Sequence, residues 1–144
     1  MKLNLGVGRE AREGWVNVDW QDYPGVNVRW DLNVTPWPFN DGSFDEILAF
    51  DIMEHLTDFT SAMDECWRVL QPSGLMTIRG PMAGGPNHHD DPTHVHGFTE
   101  RSLNYYCPGT QLGTTPLLYG TGRWELKRSW TGGANIHYAL RRLP

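Results

Sequence analysis

The sequence predicts an α/β fold built on a mostly parallel sheet. Two observations lead there. Short apolar runs alternate with turns through the first half of the chain, the rhythm of strands joined by tight connections. Glycine or aspartate then stands just past successive runs, at Gly6, Gly8, Asp19, Asp31 and Asp51. In open parallel sheets that position, beyond the carboxyl ends of the strands, is where ligands bind.

The elements follow in order. Leu3-Asn4-Leu5 reads as a strand ending at Gly6-Val7-Gly8. Trp15 to Val18 reads as a second strand ending at Asp19, and Val26 to Trp30 as a third ending at Asp31. Phe44 to Phe50 is a fourth, opened by the turn Asn40-Asp41-Gly42. A helix is predicted from Asp58 to Leu70, where Phe59, Met63, Trp67 and Leu70 recur at helical spacing. Thr57 or Asp58 caps its start, and Pro72-Ser73-Gly74 stops it. Leu75 to Arg79 is the fifth strand. The stretch from Gly80 to Gly97, rich in Gly, Pro, His and Asp, is a long loop of the kind that is usually functional or disordered. A short helix capped by Thr99 is expected to run to Tyr106. Trp124 to Trp130 and Asn135 to Arg142 close the chain as a hairpin turned by Thr131-Gly132-Gly133.

Composition narrows the function classes. A chain of 144 residues fits one domain, 1–144, with one core. A net charge of −5 and a pI of about 5.6 argue against a nucleic-acid backbone as the main partner. Cys66 and Cys107 lie far apart and read as free thiols of a reducing compartment, since neither a disulfide framework nor a zinc ribbon is spaced this way. The longest wholly apolar run is Ile47-Leu48-Ala49-Phe50, too short to span a membrane, and no signal core opens the chain. The expectation is a cytoplasmic protein without a membrane partner.

Several motifs stand in a familiar order. Leu3-Asn4-Leu5-Gly6-Val7-Gly8 is similar to the glycine-rich first motif of class I S-adenosylmethionine-dependent methyltransferases. Asn17-Val18-Asp19 resembles the acidic end of their second strand, and Asp31-Leu32 followed by Pro36-Trp37-Pro38-Phe39 resembles the adenine-side motif. Ser43 to Ile47, Asp51 to Leu56, Arg68 to Leu75 and Asn135 to Leu140 continue the match to the type 11 methyltransferase group. The resemblance implies a Rossmann-like sheet with an antiparallel C-terminal hairpin and S-adenosyl-L-methionine as cofactor. It implies a cofactor site of Leu5, Gly6, Gly8, Asp19, Asp31, Leu32 and Asp51. Glycines at 6 and 8 let the backbone approach a ligand closely. A carboxylate at Asp19 can accept both ribose hydroxyls. Asp31 can accept from the adenine amino group, with Leu32 supplying an amide and an apolar wall.

The sequence also departs from that pattern. Only six residues, Arg9 to Gly14, separate Gly8 from Trp15, whereas a parallel crossover takes roughly a dozen or more. Trp20 to Gly25 is equally short. Helices in the N-terminal half are therefore expected to be reduced or absent. The usual acid two residues before the first glycine is Asn4, and the third glycine of the fingerprint is Ala11. Trp15, Trp20, Trp30 and Trp37 crowd this region. They either thicken a thin core or meet a second subunit as a homodimer.

The densest polar cluster is Asn87-His88-His89-Asp90-Asp91-Pro92-Thr93-His94-Val95-His96. Histidine and carboxylate suit zinc or iron(II), but this spacing matches no metal signature and no metal ligand is assigned. On an extended segment His94 and His96 face the same side. The favoured reading is a lid over the acceptor pocket. His94 and His55, with Asp51 beside them, are the candidates for a catalytic base, while Glu54 reads as a surface or capping carboxylate. The function expected is methyl transfer to a small molecule or saccharide. The alternatives are a non-catalytic cofactor-binding or partner subunit, and a metal-dependent hydrolase or lyase centred on the histidine loop.

Overall fold

The computed structural model describes residues 1–114 and 119–144. Seven strands form one sheet: β1 (Lys2–Leu5), β2 (Val16–Asp19), β3 (Val28–Arg29), β4 (Phe44–Phe50), β5 (Leu70–Pro81), β6 (Trp124–Gly132) and β7 (Asn135–Arg142). Their order is β3-β2-β1-β4-β5-β7-β6. The first five run parallel, and β7 and β6 are antiparallel additions. This is the Rossmann-like arrangement with an antiparallel C-terminal hairpin that the sequence predicts. Its order reverses at β1, which pairs with β2 on one side and β4 on the other. That reversal opens a crevice at the strand ends.

One face of the sheet carries the core. Leu3 pairs with Ile47, Ile47 with Met76, and Met76 with Leu140, so one row of apolar side chains crosses four strands. Helix α1 (Phe59–Val69) lies in the same core through Ala62, Met63, Cys66 and Val69. Asp58 caps it by accepting from the Ser61 amide at 2.9 Å. The predicted stripe sits to one side of the true one. Met63 and Leu70 are fully buried, while Phe59 and Trp67 are half-buried. Both cysteines are free and buried.

The N-terminal half has no helix among the described residues between β1 and β2 or between β2 and β3. Asparagines take the place of covering helices. Asn4 donates to Asn17 Oδ1 at 3.1 Å and to the Glu10 carbonyl at 3.3 Å. Asn17 binds both the amide and the carbonyl of Arg12, each at 2.9 Å. An irregular loop must satisfy its backbone polar groups somewhere, and these amides do so. The departure at position 4 thus has a reason: a carboxylate there could accept but not donate.

Four expectations need correction. The third strand is two residues long rather than Val26 to Trp30. Val26 belongs instead to a turn, its amide bonded to the Tyr23 carbonyl at 3.1 Å. The fifth strand is longer than Leu75 to Arg79, because Leu70 already pairs with Phe44 before the chain bulges through Gln71 to Gly74. The long loop contains the end of β5 and a single turn of helix, α2 (Pro86–His89). The predicted helix from Thr99 to Tyr106 is only a 3-10 turn, Asn104–Tyr106. The Thr99 carbonyl accepts from the Ser102 amide at 3.0 Å, an i to i+3 turn bond, and also from the Tyr138 hydroxyl.

Candidate functional site

The carboxyl ends of β1, β2 and β4 surround a cleft of about 540 Å3. Its floor is the loop after β1. Gly6 has φ 60°, and a Cβ there would come within 2.4–2.6 Å of the Ile52 side chain. Only glycine fits both the left-handed backbone and that contact. Gly8, at φ 51°, has nothing within 4 Å on its Cβ side and faces open space.

Asp19 fixes this loop. One carboxylate oxygen accepts from the Gly8 amide at 2.8 Å and the other from the Gln21 amide at 2.9 Å. Each oxygen keeps a further lone pair, so the residue can orient the glycine loop and still accept from a ligand. Asp31 lines the same cleft, exposed, with its Oδ1 accepting from the Asn33 amide at 2.9 Å. Leu32 lines it too and is buried. Leu5 does not: its side chain is in the core, and it contributes only its position before Gly6. Trp20, Tyr23 and Trp30 form an aromatic wall. Sequence reasoning missed this wall, treating the tryptophans as core or interface. Trp37 is core, 2% exposed, as one of those readings has it, and Trp20 is 63% exposed and lines the cleft.

A second cleft of about 430 Å3 adjoins the first. Asp51 and His55 line both. Asp51 has φ 54°, a costly backbone for a non-glycine residue. It is held by an ion pair with Arg79 and by its amide bond to the Arg79 carbonyl at 2.9 Å. His94 lines the second cleft but not the first. The three catalytic candidates are therefore brought together at a junction.

Glu54 is the residue the sequence reading misplaced. It is 1% exposed, not a surface or capping carboxylate. Burial pushes its carboxyl up to about 7. Burial also lowers the imidazole of His55, and the neighbouring His94 lowers it further. The apolar run Ile52, Met53, Leu56 around Glu54 was the available signal that this segment turns inward.

The histidine loop does not converge as a whole. His96 pairs through Nε2 with the Leu56 carbonyl at 2.8 Å, and His88 Nδ1 accepts from the Gly84 amide at 3.2 Å. His89 is exposed. Only His94 of this loop joins Glu54 and His55, with donor atoms of the three residues within 4.8 Å of one another.

Comparison with known proteins bears on this geometry. The family described as Methyltransferase domain matches residues 7–78, half of the chain. A probable S-adenosylmethionine-dependent methyltransferase of Mycolicibacterium smegmatis is 37% identical over 59 residues, covering 41% of this chain and 23% of the relative. One of Mycobacterium tuberculosis is 39% identical over 84 residues, covering 57% and 29%. The matched segments thus span less than a third of these relatives. The 1,6-didemethyltoxoflavin-N1-methyltransferase of Burkholderia thailandensis, solved with S-adenosylhomocysteine, has the same fold at a TM-score of 0.68. That likeness covers 99% of this chain and 71% of the other at 17% identity. Family match, sheet order and strand-end cleft agree, and the chain belongs to the class I S-adenosylmethionine-dependent methyltransferase family.

Proposed function

We propose that the protein binds S-adenosyl-L-methionine in the larger cleft and transfers its methyl group to a small-molecule or saccharide acceptor in the adjoining one. The observation that carries this reading is the juncture of the two clefts at Asp51 and His55. The residues fit the cofactor. Gly8 leaves its backbone open to a ligand, Asp19 and Asp31 offer carboxylate oxygens, and Trp20, Tyr23 and Trp30 offer ring faces for a nucleoside. A cleft of about 540 Å3 lies within the usual range for such ligands.

The bound cofactor supplies an electrophilic methyl on a sulfonium. Transfer forms a bond from the acceptor atom to that carbon, and the carbon–sulfur pair stays on sulfur. The chain contributes positioning and, for an oxygen or nitrogen acceptor, a place for the released proton. His55, His94 and Asp51 are the groups at the junction suited to take it.

Calorimetry with S-adenosylmethionine and S-adenosylhomocysteine tests the reading. Saturable binding of both, weakened roughly tenfold or more in Asp19→Ala, is expected. Folded wild-type protein that binds neither would overturn it.

A further inference from the structure

The Glu54 side chain is 2% exposed and its Oε2 has no hydrogen-bond partner. Leaving a carboxylate oxygen buried and unmet is expensive. Its other oxygen lies 3.9 Å from His94 Nε2, and Asp91 Oδ2 lies 3.7 Å from the same nitrogen. Both separations exceed a hydrogen bond. Two donors each about 2.1 Å from a tetrahedral zinc stand about 3.4 Å apart. The spacing therefore suits groups gathered around an ion better than groups bonded to each other.

The surroundings hold this arrangement in place. The amides of Val95 and His96 both donate to the Glu54 carbonyl, at 2.8 and 3.2 Å, which docks the histidine loop on the segment after β4. The Thr93 hydroxyl gives its one proton to Asp91 Oδ1 at 2.6 Å. It must then accept from His55 Nδ1, 2.9 Å away. That fixes the tautomer of His55 and leaves its Nε2 lone pair free. Metal-binding histidines are oriented in this way, by an outer partner on the other ring nitrogen.

We propose that Glu54, His55 and His94 form a three-donor binding site for a divalent ion of the zinc class. Two imidazoles and carboxylate oxygens suit zinc, cobalt(II) and iron(II), and leave room for an exogenous ligand. The ion would face the second cleft, beside the cofactor cleft. With the ion bound, His55 and His94 serve as ligands, and of the three proton acceptors named above Asp51 alone stays unligated; that the ion would meet the methyl acceptor there rests on the methyl-transfer reading, and the site itself does not.

The test uses the full chain, stripped with chelator and titrated with Zn2+ by calorimetry and with Co2+ by visible absorption. Saturation at a single ion with the d–d bands of low-coordinate cobalt is expected. His94→Ala and Glu54→Gln should weaken zinc binding roughly a hundredfold, and Thr93→Val roughly tenfold, since outer partners matter on that scale. His89→Ala, in the same loop, should bind as wild type. Absence of saturable uptake by folded wild-type protein overturns the site, as does equal loss in His89→Ala. S-adenosylmethionine titrated into the same samples separates the readings. Metal uptake without cofactor binding upholds the site and sinks methyl transfer, and the converse sinks the site alone.

Discussion

The two faces of the sheet are held by opposite chemistry. On one, Leu3, Ile47, Met76 and Leu140 lie in register, all fully buried, with α1 in the same core. On the other, the residues that alternate along these strands include Lys2, Asn4, Glu46, Thr77, Arg79 and Arg141, set beside the apolar Leu48, Leu75 and Ala139. There Lys2 pairs with Glu46 at 2.7 Å, and Arg79 lies over the Phe50 ring at 4.7 Å. Where the irregular loop after β1 crosses this face, Asn4 and Asn17 are buried and hydrogen-bonded. A helix satisfies its own backbone and asks a sheet only for apolar surface. An irregular loop brings unmet amides and carbonyls, and asks for side chains that donate and accept.

That contrast can be broken from either side. Ile47→Ala should cost the most, about 4 kcal/mol, because the row of apolar side chains cannot close over the cavity. Urea unfolding measures it, and a loss no greater than that of a surface substitution would show that the covered face is not the main source of stability. Asn17→Leu should follow at about 3 kcal/mol, although it adds apolar surface. It strands the Arg12 amide and carbonyl and the Asn4 side chain. A neutral or stabilising result would mean that a leucine serves that face as well as the asparagine.

The smallest effect concerns the charge on the helix-covered side. Glu65 accepts from the Trp37 amide at 2.5 Å and from two nitrogens of Arg68 at 2.7 and 2.8 Å. Burial pushes its carboxyl up, but these bonds outweigh burial and hold it below its ordinary value of 4.5. A depressed folded value means stability present above the ordinary value and lost as pH falls through the folded one. Wild-type protein should therefore lose melting temperature on acidification below about 4.5, and Glu65→Gln should show a shallower slope there. Equal slopes would remove Glu65 from the acid transition.

The sequence makes some of this legible and hides the rest for physical reasons. The strands, the Asp58 cap and the hairpin are local: each is written in alternation, a capping side chain or a turn. The placement of Asp19 beside Gly8 is also readable, because parallel neighbours bring their carboxyl ends together. Glu54 beside His94 is not local. It depends on the amides of Val95 and His96 docking on one carbonyl, 41 and 42 residues away in the chain, which no periodicity records. The shortening of β3 was hidden because Val26-Asn27-Val28 alternates like a strand while Pro24-Gly25 bends its start into a turn.

The ends of the sheet carry one more consequence. Its first edge is β3, two residues long, and its last is β6, which bears Lys127 and Arg128 and a register shift between Leu126 and Arg128. Short, charged or kinked borders give an incoming chain little to pair with. Growth by strand addition, the route to fibrils and swapped assemblies, is hindered at both sides. Side chains offer a second copy of this chain an easier footing than either backbone edge.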